Sequence, residues 1–159
     1  MPAHFTTTGS DTYPAGHIIQ TIGPNWVRWS GDVTGNPSDP AEIDSDMRCT
    51  ITGASTSNKF MFHFMLSSGW EYHGGSVETC KWNIGESANY ATTILSDVWG
   101  QFGSGHSTGR PMYLTETITV PATSAKTYSP TLDTDGQTTY INWNGGNGWG
   151  SLMVQEIKG

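Results

Sequence analysis

Lys59-Phe60-Met61-Phe62-His63-Phe64-Met65-Leu66 decides how this chain folds. Phe60, Phe62, Phe64 and Leu66 fall on one side of an alternating pattern, and Met61, His63 and Met65 on the other. A period of two marks a β-strand, because successive side chains point to opposite faces of a sheet. Both faces are apolar here. That predicts a central strand, with one face in the core and the second available to another subunit.

Working outward, Met47 to Thr52 alternates Met47, Cys49 and Ile51 against Arg48, Thr50 and Thr52, a half-buried strand. Ser55 to Asn58 is the turn between it and the central strand. Further back, Ile18 to Ile22 is rich in β-branched residues and closes at Gly23-Pro24, and Trp26 to Trp29 continues the strand beyond that break. Gly31 to Pro40 reads as a loop. On the C-terminal side, Glu78 to Ile84 is a strand, whereas Ala91, Ile94, Leu95, Val98 and Trp99 fall at helical spacing. Glu86 to Trp99 is therefore expected to be a loop with a short helix, followed by a Gly/Ser-rich connection over Gly100 to Gly109. Pro111 to Pro121 is a long strand or a pair. Lys126 to Leu132 and Thr138 to Trp143 flank Asp133-Thr134-Asp135-Gly136, a hairpin signal. Ser151 to Ile157 ends the chain on a strand, the sort of terminus that is tied into a sheet centre. The fold class expected is all-β: an antiparallel jelly-roll β-sandwich of about eight to ten strands. It occupies residues 17–159 behind a short extended N-terminal arm, residues 1–16.

Composition agrees. In 159 residues only 13% are charged, while 20 are Gly and 8 are Pro, which opposes a helical bundle and suits short strands with many turns. The formal charge is −7, and the seven basic residues are scattered singly, so no stripe is available to track phosphates. Nucleic-acid binding is disfavoured on that ground. No apolar run reaches membrane-spanning length and no signal peptide is visible, so no membrane partner is expected. Cys49 and Cys80 are too few for a disulfide framework; they read as two separate buried thiols or as a pair across neighbouring strands.

The ordered pieces resemble a domain found in proteins of tailed bacteriophages, especially those of marine cyanobacteria. The resemblance rests on Gly16-His17-Ile18-Ile19-Gln20, Ser57-Asn58-Lys59-Phe60, Lys81-Trp82-Asn83-Ile84-Gly85, Tyr140-Ile141-Asn142 and Ser151 to Glu156-Ile157, in that order. It covers Pro14 to Ile157 and departs from the pattern over Glu86 to Gly109, where a longer Trp-containing insertion stands. It implies a trimeric jelly roll like that of tumour necrosis factor and the complement globular head. It further implies a structural virion protein: a capsid decoration, head fibre or accessory surface protein, made in the host cytoplasm and carried on the virion exterior. Its partners would be two copies of itself and other capsid or tail proteins, reached through the N-terminal arm. Met61, His63 and Met65 are the residues expected to line the trimer interface.

No catalytic constellation is visible, and the chain is not expected to be an enzyme. The histidines lack metal-ligand spacing. His63 with Glu71 and His73 is a conceivable metal cluster but reads better as a packed or interface histidine beside two solvent-facing turn residues. Asp133-Thr134-Asp135-Gly136 starts like a calcium loop but lacks the later Glu. Glu42, Asp44 and Asp46 form an acidic group of the kind that suits peripheral Ca²⁺, yet no metal or cofactor is expected. The aromatics leave a choice open. Trp26, Trp29, Trp82 and Trp143 fall in strands and read as core or inter-subunit packing. Trp70, Tyr72, Trp99 and Trp149 fall near Gly/Asn-rich loops, as in a surface that binds a partner or a host polysaccharide. On that alternative the chain is a tail-fibre tip or receptor-binding module.

Overall fold

Strand pairing sorts the chain into two antiparallel layers. The computed structural model describes residues 14–29, 33–35, 41–66, 70–72, 78–86, 92–102, 112–133, 139–141 and 148–159. Its strands are β1 (Ile18–Trp29), β2 (Val33–Gly35), β3 (Ala41–Glu42), β4 (Cys49–Thr52), β5 (Lys59–Leu66) and β6 (Trp70–Tyr72). They continue as β7 (Glu78–Glu86), β8 (Thr92–Phe102), β9 (Met112–Thr119), β10 (Ala125–Asp133), β11 (Thr139–Ile141) and β12 (Gly148–Ile157). One sheet runs β1-β12-β5-β9; the other runs β3-β10-β7-β8, with β4 also paired to β10. Setting aside the strands of two or three residues, the main strands are β1, β4, β5, β7, β8, β9, β10 and β12. The chain changes sheet at every connection between them except β7 to β8. That is the jelly-roll path. The short strands β2, β11 and β6 form a small third sheet. They come from the connections β1–β4, β10–β12 and β5–β7, so this sheet sits at one end of the sandwich.

β5 is central, between β12 and β9, and the terminal strand β12 lies between β1 and β5, both as expected. Two expectations are corrected. The helical spacing read over 86–99 is overridden where it is described: β8 is a strand along β7, from Glu86↔Thr92 to Glu78↔Phe102, and it takes in the first residues of the expected 100–109 connection, whose residues 103–109 lie outside the described residues. Two register shifts, between Thr79 and Lys81 and between Ile84 and Gly85, explain the misleading pattern. Each irregularity breaks strict alternation and lets an apolar series drift off a period of two. The hairpin expected at Asp133 to Gly136 is not formed by β10 and β11. β10 is flanked by β7 on one side and by β3 and β4 on the other, and β11 joins the small sheet. Residues 1–13 of the expected arm lie outside the described residues, while Gly16 donates to the Lys158 carbonyl at 2.8 Å.

Phe60, Phe62, Phe64 and Leu66 are buried with Leu152 and Val154 from β12, facing Ile51, Ile84 and Tyr128 of the other layer. Tyr128 meets the Phe62 and Phe60 rings edge-on, with centroids 5.0 and 6.0 Å apart, the arrangement that ring quadrupoles favour. Cys49 is a free buried thiol, donating to the Leu152 carbonyl at 3.3 Å.

Glu156 is the exception in this apolar layer. It stands opposite Phe60 in register, on the core face of β12, and is fully buried. Its Oε1 accepts from Asn58 Nδ2 at 2.6 Å and from the Ala54 N–H at 2.9 Å; Oε2 accepts from Gln20 Nε2. Gln20 Nε2 also donates to the Thr52 carbonyl, and the Asn58 carbonyl accepts from Val120 N–H at 3.0 Å. One carboxylate thus ties β12 to β1 and to the 53–58 turn. That turn needs Gly53, where a Cβ would come within 2.4 Å of Val120 Cγ1.

Glu156→Gln retains the shape but turns an amide NH₂ toward amide donors, and a buried donor left unsatisfied costs about 1–3 kcal/mol. Urea unfolding should show a lower midpoint with an unchanged slope. Burial pushes the Cys49 thiol up to about 12. Its thiolate is therefore scarce at mildly alkaline pH, and iodoacetamide should leave Cys49 unmodified in the native protein and modify it in denaturant.

Candidate functional site

The face of the β1-β12-β5-β9 sheet turned away from the core is the chemically distinctive surface. Its central row follows from the alternation of β5: Met61, His63 and Met65 are half-buried between fully buried Phe residues. Register sets Gln155 and Thr117 beside Met61, Met153 and Thr115 beside His63, and Ser151 and Tyr113 beside Met65. Sandwich sheets ordinarily turn polar, charged residues outward. The two acidic residues of these four strands, Glu116 and Glu156, stand opposite Phe62 and Phe60 on the core side. Among the described residues of these four strands, this outer face therefore carries no carboxylate, in a chain of net charge −7.

A hydrogen-bond chain crosses the face. Tyr113 Oη lies 2.7 Å from His63 Nδ1, His63 Nε2 lies 3.2 Å from Gln155 Oε1, and Gln155 Nε2 donates to Thr21 Oγ1 at 3.3 Å. All four strands contribute. Because Gln155 presents its oxygen, the neutral imidazole satisfies the chain with its proton on Nε2, while Nδ1 accepts from the tyrosine hydroxyl. The His63 and Tyr113 rings are 6.2 Å apart at 30°.

Toward the end of the sheet that bears the small third sheet, Trp26 and Trp149 pack together, their centroids 4.9 Å apart and their planes at 55°. Trp26 is 56% exposed, so of the two readings its place in a strand allowed, core packing is excluded and inter-subunit packing remains. The cause is a bulge. Ile22 pairs with Val154 and Asn25 with Leu152, so β1 spends three residues where β12 spends two. The extra residue reverses the alternation: Asn25 and Val27 turn inward, and Trp26 and Arg28 outward. Gly23, at φ +89°, makes the bulge possible, since a Cβ there would lie 2.7 Å from the Leu152 carbonyl oxygen. The Gly23-Pro24 pair was the signal in the sequence that marked this reversal.

The expected interface residues Met61, His63 and Met65 are thus brought together on one face. The four expected ring residues fall on strands of three sheets. Trp149 is on this sheet, Trp70 and Tyr72 are in β6 opposite Ile141 and Thr139, and Trp99 is in β8 of the other layer. The side chains of Trp70, Tyr72 and Trp99 lie outside the described residues. The acidic group at 42–46 is used locally. Glu42 takes both Arg48 Nε and a terminal guanidinium nitrogen, at 2.7 and 2.6 Å, and Asp44 Oδ1 accepts from the Asp46 N–H at 2.9 Å. Among the described residues no group of three potential ligands is placed to hold a metal ion.

No protein-family model matches the chain, and no curated protein sequence matches it. Solved structures similar to it include infectious bursal virus T=1 particles, at 9% identity and TM-score 0.41 over 98% of this chain and 40% of that one. Another is the insecticidal delta-endotoxin Cry8Ea1 from Bacillus thuringiensis, at 10% identity and TM-score 0.38 over 80% of this chain and 20% of that one. A third is the CBM22-1 xylan-binding domain of Paenibacillus barcinonensis Xyn10C, at 8% identity and TM-score 0.33, covering 93% and 99% of the two chains. The chain spans less than half the length of the first two. Likeness at this level carries no functional assignment.

The hydrogen-bond chain predicts that ¹⁵N-correlated NMR of the neutral protein finds His63 as the Nε2–H tautomer. Tyr113→Phe should shift that population and cost about 1 kcal/mol or less, because the bond is partly exposed.

Proposed function

We propose that the protein is a non-catalytic structural protein of a virion, a jelly-roll subunit that assembles as a homotrimer and decorates the particle exterior. The observation that carries this reading is the acid-free outer sheet face. Met61, Met65 and Met153 occupy its centre, with Tyr113 53% exposed beside them. Depletion of charge with enrichment of Met and aromatic residues is the compositional mark of the core of a protein–protein contact. A soluble subunit gains by covering such a patch. The His63–Gln155 chain adds polar groups of fixed geometry in the middle of the face, which sets register between copies. The motif order along the chain, which resembles tailed-phage surface domains, supplies the virion context. Electron microscopy of labelled particles decides between a capsid position and the tail-fibre alternative.

Light scattering at micromolar concentration should give three times the 17.2 kDa chain mass. Met65→Glu, which places a carboxylate on this face, should give the monomer with unchanged β-sheet circular dichroism. A wild-type protein that stays monomeric overturns the reading.

A further inference from the structure

Across Ser151 from Met65, toward the β1 edge, the same face carries a feature that self-association does not explain. Trp26 and Trp149 form a shallow angle of two indole planes, with Trp26 more than half exposed. Ser151, the register partner of Trp26 and two residues along β12 from Trp149, is buried on the same face. Arg28 stands directly opposite Trp149, two residues along β1 from Trp26, and is exposed. β1 is an edge strand of its sheet, so the platform opens sideways as well as outward and lies at the rim of the proposed subunit contact.

We propose that Trp26, Trp149 and Arg28 form a binding site for an acidic saccharide. A pyranose ring presents a face of C–H bonds that carry partial positive charge, which matches the negative face of an indole. A flat ring surface left open to water is the usual platform for such a ligand, because it gives apolar contact without enclosing the sugar hydroxyls. Arg28 adds the charge selection: its guanidinium matches a uronate carboxylate or a sulfate ester with two parallel N–H donors. Among the described residues of the four strands no carboxylate on this face opposes the ligand, although the chain as a whole is acidic. A neutral glycan would use the rings and leave the cation idle.

The test titrates the intact protein with oligogalacturonate, and with neutral dextran oligosaccharides of the same length, reading tryptophan fluorescence and calorimetric heat. Saturable binding of the acidic oligosaccharide is expected, at least about tenfold tighter than the neutral one and weakened by added salt. Trp26→Ala should abolish it, and Arg28→Ala should remove the preference for the acidic ligand. Trp26→Ala should retain the oligomer mass, and Met61→Glu, four residues along β5 from Met65 and paired with Gln155 rather than Ser151, should retain saccharide binding as a monomer, which separates this site from the subunit contact. Absence of saturable binding overturns the proposal, as does binding indifferent to Trp26→Ala or a preference that survives Arg28→Ala. Loss of the oligomer in Trp26→Ala without any saccharide binding also overturns it, and assigns the rings to the contact.

Discussion

The buried Glu156 carboxylate is the constraint on which the arrangement of the β1-β12-β5-β9 sheet depends. A carboxylate removed from water is costly unless its oxygens are satisfied, and here three amide groups converge on them. Each donor belongs to a different piece of the chain: Gln20 to β1, Ala54 to the turn after β4, Asn58 to the residue before β5. The demand of one group therefore fixes β12 against β1 and sets the turn that launches β5. Its cost also makes the register unforgiving. A slip of one residue along β12 would put Glu156 on the outer face and leave Asn58, itself buried, facing apolar neighbours.

That register has a consequence on the opposite side of the sheet. With Glu156 inward, Gln155 and Met153 are outward, next to Met61 and His63. The bulge at Gly23 and Pro24 then brings Trp26 and Arg28 to the same side as Trp149. Two local features, a buried acid and a one-residue bulge, thus define a face that is free of carboxylates, rich in Met and aromatic rings, and crossed by a polar chain. The centre and the rim differ in chemistry. The centre offers flexible thioethers and a fixed imidazole, suited to a partner surface, and the rim offers rigid indoles beside a cation.

Much of this was legible in the sequence where alternation is strict. The Lys59 to Leu66 stretch announces its own central place and the residues of its two faces, and the outward set of Met61, His63 and Met65 follows from it. Legibility fails where alternation breaks. The bulge in β1 hid the exposure of Trp26, because a reader extending the Ile22 phase places that ring inward. The register shifts in β7 and β8 made a strand look helical. Turn chemistry at Asp133 to Gly136 suggested a hairpin because a short signal cannot report that both edges of β10 are already occupied. Glu156 was visible only as a terminal Glu-Ile motif. Its burial depends on Gln20 and Asn58, which lie 136 and 98 residues away along the chain.

Hydroxyl-radical footprinting read at single methionines tests the central claim, that the outer sheet face is covered by copies of the same chain. Met61, Met65 and Met153 are half-buried on that face, whereas Met47 is fully buried and serves as an internal reference. As protein concentration rises through the association range, oxidation of Met61, Met65 and Met153 should fall together while Met47 stays protected throughout. Oxidation of the three outer methionines at the same rate at every concentration would contradict the account.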